Sequence, residues 1–167
     1  MLERIQEEKK QLVKQGKLKA KDLTNSTIFR GDDNKYYEQI GDTAVEIESD
    51  FVFPDTWVVV RLADICRLTD GEKKQGEYVC LDAKFLRGKS IGDKVDKGKF
   101  VAKGDTIILV DGENSGEVFT TPCDGYMGST FKRLWVSGEM FLPYVLPFIQ
   151  LYKDHLRNSK KGAAIPH

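Results

Sequence analysis

The chain has 167 residues and a mass of 18.9 kDa, and its 26 basic and 26 acidic side chains cancel to a formal charge of zero. That length suits one main domain whose core needs no disulfide or metal staple. The mix of 40% hydrophobic and 31% charged residues excludes wholesale disorder, and the zero balance excludes a basic protein that simply coats nucleic acid.

Cys66, Cys80 and Cys123 are scattered and form no CxxC half-site. His155 and His167 are too few for a typical structural zinc site. Free thiols acting as small hydrophobes fit a reducing compartment. The first ten residues hold no apolar signal core, and the longest apolar stretch, Met140 to Leu151, is interrupted by two prolines and too short to span a bilayer. The expected location is cytoplasmic.

Residues 2–15 are predicted helical, with Leu2, Ile5, Leu12 and Val13 on a narrow stripe and Gly16 placed to stop the helix. So narrow a stripe resembles a coiled-coil seam, and two heptads are too few to stand alone, so a partner helix is expected. The alternative is packing on its own domain. A lysine-rich linker follows at 17–25. Ser26 to Arg30 and Thr43 to Glu48 are predicted strands, with a turn at Gly31 to Asn34. Between Asp32 and Asp55 eight acidic residues face one lysine, a net of −7.

Val58 to Leu62 reads as a buried strand entered through Pro54, with Trp57 in the core, and Leu62 to Cys66 as one helical turn. Tyr78 to Leu81 is a short strand. Residues 84–103 carry a net of +5, and 153–161 a net of +3. Thr106 to Val110 is the clearest strand, followed by a glycine-punctuated loop, Asp111 to Gly116. Glu117 to Thr120 and Ser129 to Val136 are further strands. Residues 139–157 form the last predicted helix, with Phe141, Val145, Phe148, Leu151, Tyr152 and His155 on one side, Pro143 in its first turn and Pro147 kinking it.

One catalytic reading and one carrier reading compete with binding. Pro54-Asp55 with Glu72-Lys73-Lys74 spells the PD…ExK pattern of metal-dependent nucleases, in which carboxylates hold Mg²⁺. That chemistry needs Glu and Lys on one face of a buried strand, whereas Glu72 and Lys74 read as part of a turn between Gly71 and Gly76. A biotinyl- or lipoyl-like carrier domain is suggested by the Lys-Gly-Asp turns, with Asp82-Ala83-Lys84 as the modified tip; good turn chemistry before a strand explains the same residues. No nucleophilic triad, phosphate loop or GxGxxG is present. What remains is segregated charge: a basic 84–103 segment interleaved with Phe85 and Phe100 could neutralise phosphates, although a solvated lysine-rich loop has the same composition.

Five stretches in order resemble the DNA-specificity subunit of type I restriction–modification enzymes: Glu3 to Lys19, Ile28 to Gly41, Phe53 to Cys66, Lys103 to Gly116 and Lys161 to His167. The first resembles the end of that family's long spacer helix, the third the Pro-x-x-Trp opening of a target recognition domain, and the last the junction with the next spacer helix. The resemblance implies an α/β (α+β) fold: a twisted, mostly β recognition domain at 26–161 with a C-terminal helix, a coiled-coil-type spacer helix and linker at 1–25, and a truncated spacer start at 162–167. It also implies reading one half of a split DNA target without catalysis of its own. S-adenosylmethionine, ATP and Mg would belong to methyltransferase and restriction/translocase partner subunits. A single recognition domain implies a half-subunit, an excised domain or a truncated product, with a second copy or second half as a further partner through the helix.

From charge and loop character, Lys84, Arg87, Lys89, Lys97 and Lys99 are the expected phosphate contacts. Asp111, Glu113, Asn114, Ser115, Lys132 and Arg133 are expected at base edges or backbone. Leu2, Ile5, Leu12 and Val13 are the expected helix seam.

Overall fold

A computed structural model describes residues 1–23, 26–49 and 52–158. The fold is α+β, as expected, with an N-terminal helix and sheets that are antiparallel except where the strands Glu72–Leu81 and Gly125–Met127 run parallel. The chain divides into two compact units: residues 1–67 with 137–139, and residues 68–136 with 140 onward. The expected start of a second spacer, 162–167, lies outside the described residues.

In the first unit, α1 spans Leu2–Lys14. Its end is set by Gly16, whose φ of +70° suits glycine, with Gly16 N donating to Val13 O and Lys17 N to Leu12 O. Ile5 and Lys9, one turn apart, are its buried residues. The Lys9 ammonium lies 4.0 Å from Asp64, and burial pushes its pKa down. Glu8 accepts from Ser137 Oγ at 2.6 Å and from Gly138 N at 3.1 Å, and Arg4 pairs with Glu139 at 3.0 Å. These contacts tie α1 to its own unit.

Strands β1 (Thr27–Arg30), β2 (Tyr36–Ile40) and β3 (Thr43–Ile47) form an antiparallel sheet in the order β1-β2-β3. The turn between β1 and β2 places Asn34 at φ +64°, a conformation asparagine tolerates. Glu38 on β2 accepts from Arg61 Nε at 2.9 Å and from Arg61 Nη2, and this fork holds its carboxyl at about 2.

The predicted strand at 58–62 does not form. Trp57 N donates to Pro54 O in a turn, residues 58–60 have no ladder partner among the described residues, and α2 (Leu62–Ile65) begins directly afterwards. Trp57 is 66% exposed and Val58 54%, so neither is core. A three-valine run signals a buried strand only where a neighbouring strand offers its edge.

The second unit holds the main core. Strand β4 (Cys66–Thr69) crosses the division, and β5 (Glu72–Leu81), α3 (Ala83–Leu86), β6 (Lys94–Val101), β7 (Thr106–Leu109), β8 (Val118–Thr120), β9 (Gly125–Met127) and β10 (Phe131–Val136) follow. One sheet has the order β4-β10-β7-β8, while β5, β6 and β9 each pair with the other two and close a small barrel. Leu81, Val101, Ile107, Leu109, Met127 and Phe131 make the buried cluster between them. All four residues of β7 are buried.

Strand β5 begins at Glu72, not at Tyr78. Gly76, at φ +123°, does not end a turn; it sits in a register shift between Gln75 and Tyr78. The polar run before it is exposed, so no apolar alternation marked it as strand.

The C-terminal helix is two helices, α4 (Leu142–Leu151) and α5 (Lys153–Asn158). Pro147 lies inside a continuous α4, and the separation falls at Tyr152. Its buried face is Val145 and Ile149, whereas Phe141, Phe148, Leu151 and Tyr152 are exposed. The predicted apolar face thus holds for Val145 only.

Ile107→Ala, at a fully buried position, should cost about 2–5 kcal/mol, whereas Trp57→Ala should cost under about 1 kcal/mol; urea denaturation of both variants checks the revised core. Glu38 makes a second test. Its depressed pKa contributes stability that is present above the ordinary value of 4.5 and is lost as pH falls toward about 2. Arg61→Ala should raise the Glu38 carboxyl toward its ordinary range in an NMR titration, with the Ser26 hydrogen bond still holding it below.

Candidate functional site

The most concentrated charge in the second unit lies on the β5–β6 ribbon. In its register Lys73 faces Lys99, Lys74 faces Gly98 and Gln75 faces Lys97. Directly paired residues share a side of a sheet and successive residues alternate. Lys73, Gln75, Lys97 and Lys99 therefore share one side, and Glu72, Lys74, Gly98 and Phe100 the other. An open hollow is lined by Lys73, Lys74, Gln75, Lys97, Gly98 and Lys99.

Like charges directly across a ladder disfavour pairing, and Lys73 opposite Lys99 is such a pair. Partial relief comes from Asp70, which accepts from Lys132 Nζ at 2.6 Å and Lys99 Nζ at 2.5 Å. The two ammonium groups hold its carboxyl at about 2. Lys73 and Lys97 have no carboxylate partner among the described residues.

The other side is aromatic. Tyr78, Phe100 and Tyr126 meet edge to face, with centroids 5.1 to 6.4 Å apart. Tyr126 OH donates to Gly76 O at 2.8 Å, pinning the bulge. Lys74 Nζ sits 3.9 Å from the Phe100 centroid and 4.9 Å from that of Tyr78. The adjacent Tyr78 hydroxyl raises its pKa. Lys74 is thereby held in place, while Lys73 and Lys97 of the opposite side face solvent.

The residues expected from sequence fall into three groups. Lys97 and Lys99 lie on the ribbon, and Lys132 joins them through Asp70. Lys84 on α3 and Lys89 just after it are exposed, without an ion pair among the described residues. Arg87 forks onto Glu117, and Arg133 Nη2 donates to Asp105 Oδ1 at 2.8 Å. The 111–116 loop is folded by Ser115 N donating to Gly112 O and Gly116 N donating to Leu109 O. Ser115 is buried, Asp111 half-buried, and Glu113 and Asn114 exposed. Of the expected seam, Ile5 is buried in its own unit, Leu12 and Val13 are half-buried, and Leu2 is exposed.

Sequence reasoning named Lys73 and Lys74 only in the nuclease pattern and did not place them, or Gln75, beside the basic segment. The available signal was a matching pair of runs, Lys-Lys-Gln-Gly and Lys-Gly-Lys, able to face each other across a hairpin.

The residues of the nuclease and carrier readings are also placed. Glu72 and Lys74 are on a strand, not in a turn, and both are exposed. Asp55 pairs with Arg30 at 3.0 Å. Among the described residues, no three His, Cys, Asp or Glu side chains converge to hold a metal ion. Lys84 is not at a hairpin tip: Asp82 Oδ1 accepts from Phe85 N and caps the helical turn that carries it. No helix among the described residues is long and apolar enough to cross a membrane.

No family model matches the chain, and no solved structure matches it. A curated protein does: the type I restriction enzyme MjaVIII specificity subunit of Methanocaldococcus jannaschii is 30% identical over 130 residues. The match covers 68% of this chain and 29% of that protein, so the chain spans under a third of its relative. Over those residues this chain is a homologue of a type I restriction enzyme specificity subunit.

Proposed function

We propose that the chain is a sequence-specific DNA-binding module. In this reading it supplies specificity to a type I restriction–modification complex and reads one half of a split target without doing chemistry itself. The observation that carries the reading is the β5–β6 ribbon, with Lys73, Lys97 and Lys99 on one side. A two-stranded ribbon is a shape the major groove admits, and a ladder that tolerates Lys73 opposite Lys99 gains when a polyanion neutralises their charge. The similarity to a specificity subunit supports the same reading.

Lys73, Lys97 and Lys99 would contact phosphates on the ribbon, with Lys84 and Lys89 steering from beside it. Arg87, Lys99, Lys132 and Arg133 would exchange Glu117, Asp70 and Asp105 for phosphate. Methylation and cleavage would fall to methyltransferase and restriction/translocase partners holding S-adenosylmethionine, ATP and Mg. Leu2, Leu12 and Val13 of α1 would meet a partner helix, from a second copy or a second half.

Fluorescence anisotropy of the whole chain on duplex DNA tests the proposal. Affinity should fall steeply with salt, and Lys73→Glu with Lys97→Glu should weaken binding at every sequence and lower the slope of log K against log salt by about 2. Wild-type affinity in that double variant, or no duplex binding at low salt, would overturn it.

A further inference from the structure

We infer that Gln75 is a base-reading residue, taking the major-groove edge of adenine; this rests on the DNA-binding reading above. The hollow on the ribbon is lined by four lysines, one glutamine and one glycine. A lysine ammonium donates only, and glycine offers no side chain; the Gln75 amide alone both donates and accepts. Adenine presents one donor and one acceptor in the major groove, N6–H and N7, which a glutamine amide matches with two hydrogen bonds.

The position fits that chemistry. Gln75 is exposed, and its amide makes no hydrogen bond among the described residues, so the ribbon does not use it as a strut. It pairs with Lys97 and shares a side with Lys73 and Lys99. Cations on either side can fix the duplex by its phosphates while the amide between them meets a base edge, the usual division between positioning and specifying contacts. Gly76 follows at φ +123° and itself adds no side chain beside the amide. The bulge itself is pinned by Tyr126 OH on Gly76 O, which limits where the amide can reach.

Selection of bound duplexes from a randomised pool, run with wild type, Gln75→Ala and Gln75→Glu, tests the assignment. Wild type should enrich a motif containing adenine at one position. Gln75→Ala should lose about 5- to 100-fold discrimination at that position alone, with the other positions and the salt slope unchanged. Gln75→Glu should move the preference there toward cytosine, whose N4 amine donates to a carboxylate. An identical motif from all three proteins would overturn the role of Gln75 and leave DNA binding standing. A wild type that binds duplex but enriches no motif would overturn both the base-reading role and sequence-specific recognition.

Discussion

Gly98 is where the barrel of the second unit is decided. A Cβ there would lie 2.7 Å from Cγ of Tyr126, closer than side-chain atoms approach. Without a side chain at 98, the Tyr126 ring sits against β6, β9 pairs with both β5 and β6, and the three strands close. Closure leaves the barrel without the open edge that a lone hairpin would expose. It also fixes direction: the Tyr78, Phe100 and Tyr126 rings take one side of the ribbon, and Lys73, Gln75, Lys97 and Lys99 are left on the other.

Charge in the second unit is balanced incompletely. Asp70 serves Lys99 and Lys132 together, Glu117 serves Arg87, and Asp105 serves Arg133. Lys73, Lys84, Lys89 and Lys97 remain without such partners among the described residues. Exposed ion pairs are weak, typically about 0–1 kcal/mol, so the paired cations can exchange a carboxylate for another anion at little cost. The zero net charge of the chain therefore hides a local imbalance. Acidic residues gather over 32–55, on and around β2 and β3, and basic ones gather on and near β6. A molecule with this distribution would not coat DNA, yet one of its faces suits a phosphate backbone.

Much of the fold was legible where apolar residues recur with a clear period. The strand at 106–109, the helix ended by Gly16 and the short helix at 62–65 follow from local pattern. Three features did not, each because a distant partner decides it. The Val58–Val60 run found no strand edge to join. The Gly76 bulge let a polar run continue as strand, and three-residue β9 exists only because β5 and β6 receive it. Both sides of α4 are apolar, so packing alone selects Val145 and Ile149 as its buried face. The basic segment was visible in the sequence, but its organisation was not. That Lys73 and Gln75 stand beside Lys97 and Lys99 is a matter of hairpin register, which no local composition encodes.

The central claim is that the lysine side of the β5–β6 ribbon meets duplex DNA. Titrating the isotope-labelled chain with a duplex and following backbone amide shifts tests it directly. Perturbations centred on Lys73–Gln75 and Lys97–Lys99, with smaller ones at Lys84 and Lys89, are the predicted result. Perturbations centred on β2 and β3 with the ribbon unmoved would contradict it.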